Sequence, residues 1–116
     1  MAEEYEREIT ELRKLQKELS KIESSQQDYI LKKHENEMVK TEFELIEDQE
    51  TNVFKLIGPA LIPQAISEAK GNVDTRLEFI NKEITRLNKL REDFVKKAKE
   101  KQEKVLKIQR DLQARQ

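Results

Sequence analysis

With 116 residues, 41% of them charged and 35% apolar, the chain is long enough for one domain but has too little apolar material for a compact core, so it is expected to be elongated or held by partners. It contains no cysteine, which excludes a disulfide framework and a thiolate metal centre. The net charge of −1 conceals an asymmetry: residues 1–50 carry 8 basic and 15 acidic side chains, net −7, and residues 51–116 carry 15 and 9, net +6, so two arms folded back on each other attract.

Two glycines and two prolines among so many Glu, Lys, Leu and Ile at recurring spacing point to long helices rather than to disorder of the same polarity. The first expected element is a helix over 1–49. Its apolar seam steps by three and four through Leu12, Leu15, Leu19 and Ile22, then continues with a polar middle through Gln26, Tyr29, Lys33, Asn36 and Lys40 to Phe43. The opening "MAEEYEREIT" is acidic and lacks the apolar core of a secretory signal, and no apolar run approaches the ~18 residues that span a bilayer. The expectation is a soluble, cytoplasmic protein with no membrane association.

The second element, over 50–65, interrupts the charged pattern with "NVFKLIGPALIPQ". Two short runs rich in Val, Leu, Ile and Phe flank Gly58-Pro59, where glycine supplies an unusual dihedral and proline fixes the next, so the segment is expected to be a β-hairpin. A lone two-stranded hairpin is marginal in water and its edges need another chain. Pro63 lacks an amide donor, which moves an intermolecular ladder to the other strand or to other positions.

The third element is a helix over 66–116, confined by its pattern to about Ser67 to Ala114, with Gly71 near its start as a local weakness of ~1 kcal/mol against alanine. Its seam runs through Val73, Leu77, Ile80, Ile84, Leu87, Phe94, Ala98, Val105, Ile108 and Leu112, with basic interruptions at Arg91 and Lys101. Acid-before-base pairs such as Glu78/Lys82 and Glu92/Lys96 add a few tenths of a kcal/mol each. The fold expected is mainly α: one domain, a long antiparallel coiled coil whose helices are joined by a central β-hairpin. Laid antiparallel, one register sets Leu12 opposite Ile108, Gln26 opposite Phe94, Lys33 opposite Leu87 and Phe43 opposite Leu77, with the stem of Lys40 covering Ile80. Both chain termini then lie at the tip remote from the hairpin.

"VKTEFELI", "NVFKLIGPALIPQ" and "SEAKGNVDTRLEFINKEITRL" together resemble prefoldin, in its β-type class. The resemblance is specific over about Val39 to Leu87, and the outer arms match in heptad character and length. It implies a role as one of six chains, two α-type and four β-type, that join through their hairpins into a β-barrel platform from which the coiled coils hang. It further implies that the tips hold unfolded polypeptides, actin and tubulin among them, without ATP, and pass them to the cytosolic chaperonin. A different reading of the same pattern is a structural spacer or adaptor that docks through the hairpin and holds no client.

The residues expected in subunit assembly are Val53, Phe54, Leu56, Ile57, Gly58, Pro59, Leu61 and Ile62. Some of them also have the option of folding down on Phe43, Ile46 and Val73, and alternation along the strands gives one face to each task. For client contact the candidates are Tyr5, Ile9, Leu12, Leu106, Ile108 and Leu112, at the end where a coiled coil frays. Leu12, Ile108 and Leu112 have the alternative of continuing the seam, whereas Ile9 and Leu106 lie off it. The basic stretch 96–107 is broken by Glu100 and Glu103 and has no interleaved aromatics, so it reads as a solvated helix face and not a nucleic-acid surface. His34 stands alone without metal-site spacing around it and is expected to be exposed. No nucleophile elbow, phosphate loop or catalytic histidine constellation occurs, so no enzyme activity, cofactor or metal is expected.

Overall fold

The computed structural model describes residues 2–46 and 52–115. Helix α1 (Ala2–Glu44) is followed by strands β1 (Asn52–Ile57) and β2 (Ala60–Ala65) and helix α2 (Ile66–Ala114). The expected architecture of two long helices joined by a hairpin is therefore present. The chain divides into two compact units, one of residues 28–84 and one of residues 1–27 with 85–116.

In the 28–84 unit the strands pair antiparallel, from Asn52 with Ala65 to Ile57 with Ala60, leaving Gly58 and Pro59 as a two-residue turn. Gly58 has φ +58°, the left-handed region a tight turn demands at its first central position, and Pro59 contributes its fixed negative φ at the second. The hairpin leads directly into α2, whose first residue, Ile66, is fully buried. Ala69, Val73, Leu77 and Ile80 continue the buried stripe from there. Along α1 this stripe meets side chains expected of the seam, and Val39 beside them: Phe43 and Val39 share a recess with Ala69, Asn72 and Val73, and Tyr29 and Asn36 share another with Thr75, Phe79 and Ile80. Burial of each large aliphatic side chain here contributes ~1.5–3 kcal/mol, and Tyr29 meets Phe79 edge-on at 6.4 Å between ring centres.

In the other unit Ile22, Leu87, Val105 and Ile108 are buried. The two basic interruptions of the α2 seam each find carboxylates on α1. Lys101 bonds Glu8 at 2.7 Å and also Glu11, Lys104 reaches Glu8 at 3.0 Å, and Arg91 lies 3.4 Å from Glu23. Glu8 occupies the seam position four residues before Leu12, and its side chain is only 8% exposed.

Two expectations are corrected. Helix α1 ends at Glu44 rather than at residue 49, and its last turn is tightened by Leu45 and Ile46 amides donating to the Glu42 and Phe43 carbonyls. No basic residue stands in that turn, while Glu42 and Glu44 put two carboxylates at the negative end of the helix dipole, which opposes extension. The expected boundary between helix and hairpin at 49/50 lies outside the described residues. The helix pairing is also displaced by about one heptad: Gln26 donates to Asn88 at 2.8 Å instead of facing Phe94, and Lys40 bridges Asp74 at 3.1 Å instead of covering Ile80. A heptad pattern matched to itself is nearly degenerate to a shift of seven, and the charged seam positions select the register that pairs them.

Candidate functional site

Apolar residues at alternate strand positions give the hairpin two faces. The register sets Phe54, Leu56, Leu61 and Pro63 on one face and Val53, Lys55, Ile57, Ala60, Ile62 and Gln64 on the other. Val53 and Gln64 are half-buried, in the recess that Val39, Phe43 and Val73 also line. The expectation that one face folds onto the helices thus holds at the base of the second face. Phe54, Leu56 and Leu61 on the first face and Ile57 and Ile62 on the second are all exposed, Leu56 at 69%, apolar surface of the kind that a partner can cover.

The edges are as informative as the faces. Ile57 and Ala60 close the two-residue turn and form a hydrogen-bonded pair, so alternation makes Phe54 with Pro63 a non-hydrogen-bonded pair whose backbone groups point outward. Pro63 therefore removes a donor from the free edge of β2 and none from the bond pattern within the hairpin. The free edge of β1 keeps the outward amides of Asn52, Phe54 and Leu56, a continuous template for a strand from another chain.

All six expected tip residues fall in the unit of 1–27 with 85–116. Tyr5, Ile9, Leu12 and Leu112 are half-buried there. Leu106 is 43% exposed and Ile108 only 6%, so Leu106 offers surface to a second molecule and Ile108 belongs to the packed seam. Glu8 and Lys101 were not among the expected site residues, nor was Ile66 among the core. The signal was present for each: Glu8 lies four residues before Leu12, Lys101 interrupts a seam and needs a counter-charge, and Ile66 lies seven residues before Val73.

The carboxyl of Glu8 titrates below its ordinary range because Lys101 and then Lys104 donate to it. Lys101 is raised by Glu11 and Glu8, and Lys40 by Asp74. Among the described residues no group of three His, Asp or Glu side chains is placed to hold a metal ion, and no helix is long and apolar enough to cross a membrane. His34 lies exposed on α1, as expected.

A family model described as "Prefoldin subunit" matches residues 6–112. Prefoldin subunit 6 of Arabidopsis thaliana is 37% identical over 110 residues, covering 95% of this chain and 84% of the relative. Prefoldin subunit 6 of Homo sapiens is 35% identical over 106 residues, covering 91% and 81%. Among solved structures, the crystal structure of the prefoldin beta subunit from Thermococcus strain KS-1 superposes with a TM-score of 0.81 over 90% of this chain and 91% of that one, at 16% identity, which speaks for the fold. The beta2 subunit from the same source gives a TM-score of 0.67 over 80% and 98%.

Proposed function

The chain belongs to the prefoldin family of chaperone subunits, and from that membership we propose that it is a β-type subunit of a heterohexameric, ATP-independent holdase. It joins α-type and β-type companions through its hairpin, holds unfolded polypeptides such as nascent actin and tubulin at the ends of its helices, and passes them to the cytosolic chaperonin. The setting is the cytoplasm, and the chain catalyses no reaction. The observation that carries the reading is the exposed hairpin, with its apolar Phe54, Leu56, Leu61 face and its intact β1 edge. A surface of this kind is satisfied by neighbouring strands, and closing the sheet into a barrel removes the free edges.

Assembly gives the tips their use. A single half-open coiled-coil end with Tyr5, Ile9, Leu12, Leu106 and Leu112 binds an unfolded segment weakly, while several tips on one platform act together by effective concentration. Ile108, packed in the seam, becomes available only when that end opens.

The test is aggregation of a denatured protein diluted into the assembled complex without nucleotide. The holdase reading expects protection, and expects it to fall when Ile9, Leu12 and Leu106 are replaced together by Glu in a complex that still forms. Undiminished protection would remove the tips from the account, and no protection by the unaltered complex would favour a spacer role.

A further inference from the structure

Near the hairpin, α1 carries a second seam. Leu31, His34, Met38 and Thr41 step by three and four, as a and d positions do, Leu45 continues the step one residue past the helix with its amide donating to the Thr41 carbonyl at 3.3 Å, and all five are exposed. At ~100° per residue this stripe lies roughly 160° around the helix from Tyr29, Lys33, Asn36, Lys40 and Phe43, which form the seam toward α2. Thr41 donates its hydroxyl to the Glu37 carbonyl at 3.0 Å, so its polar atom is satisfied within the helix. Ile30, also exposed, widens the stripe on one side.

The flanks are of one sign. Four positions that border the stripe in the heptad, Glu35, Glu37, Glu42 and Glu44, are all glutamates and all exposed. Glu37 has Lys33 at 4.0 Å on its inner side. A stripe with Leu31, Met38 and Leu45 at a, His34 and Thr41 at d, and carboxylates at four of its five e and g positions fits a helix that is apolar along its own seam and carries Lys or Arg beside it. Two copies of this stripe would set glutamates against glutamates, which disfavours pairing with itself.

The stripe ends at Leu45, seven residues before β1 begins at Asn52, and lies in the same 28–84 unit as the hairpin. Two heptads span ~21 Å, short for an interface that stands alone, and suited to extending one that already exists. We propose that the Leu31, Met38, Leu45 stripe of α1 is a docking surface for a basic-flanked amphipathic helix of an adjoining subunit, so that subunit contact continues from the hairpin up the helix. This rests on the reading of the hairpin as the assembly site.

The chain has no cysteine, so Met38→Cys gives one attachment point for a benzophenone maleimide, added before assembly with the companion subunits that co-purify from its own cells. Irradiation of the hexamer is expected to link position 38 to a helical segment of another subunit with Lys or Arg beside an apolar seam. Glu35→Lys with Glu42→Lys is expected to lower the yield of that product about tenfold at low salt. An intact hexamer in which position 38 gives no product with another subunit, or reacts only with its own α2 or with added unfolded protein, overturns the docking stripe alone. A chain that fails to join its companions with or without the label overturns the hairpin reading together with the stripe.

Discussion

Replacing Phe54 by alanine separates the two uses of the hairpin. The side chain is 64% exposed in the single chain, so about two-thirds of the burial available to it is left for a partner. Full burial of a phenylalanine is worth ~3 kcal/mol, which leaves about 2 kcal/mol to be gained on assembly and about one on the chain's own helices. The substitution is expected to weaken association with companion subunits about 30-fold and to lower the thermal stability of the isolated chain only slightly. Phe54→Asp adds the cost of a carboxylate in an apolar interface and is expected to abolish assembly. The assays are subunit titration by analytical ultracentrifugation and helical content by circular dichroism on heating. Unchanged assembly by Phe54→Asp, with the chain still folded, would refute the argument, because it would mean that the exposed face is not what partners cover.

Leu106→Glu is expected to leave assembly and melting unchanged, since the side chain is already partly in water, and to shorten client retention in a pull-down with a denatured protein. Glu8 titrates below 4.5 and Lys101 above 10.5 in the folded chain. The pair therefore contributes fully between about pH 5 and pH 10, loses the Glu8 part as pH falls through its depressed value and the Lys101 part as pH rises through its raised one. Glu8→Gln is expected to flatten the acid side of the melting-temperature profile measured by circular dichroism. Gly71 lies inside α2 with open space where a side chain would begin, so Gly71→Ala is expected to stabilise the chain by about 0.5–1 kcal/mol in urea titration.

The helices and hairpin were legible because each rests on local signals: three-four stepping for α1 and α2, and Gly58-Pro59 between two β-rich runs. The end of α1 was less so, since no Gly or Pro stops it and the restraint is the diffuse unfavourable interaction of Glu42 and Glu44 with the helix C-terminus. The register was misread because apolar layers alone tolerate a one-heptad shift. What breaks that degeneracy is the pairing of Lys101 with Glu8 and of Arg91 with Glu23, and seam charges carry this information in any coiled coil. Among the candidate site residues, composition picks out the apolar hairpin set, and Phe54, Leu56, Ile57, Leu61 and Ile62 of that set are exposed. At the tips, the sequence left open whether Ile108 packs or binds, because a seam residue and a binding residue are both apolar, and burial in the folded pair distinguishes them.

The central claim is that the hairpin joins this chain to others of its kind in a chaperone hexamer. Native mass spectrometry of the material that co-purifies with a tagged copy from its own cells tests it most directly. The account predicts a six-chain species in which the companions are themselves helix–hairpin–helix proteins. A lone dimer of this chain, or its presence only in a large assembly without such companions, would contradict it.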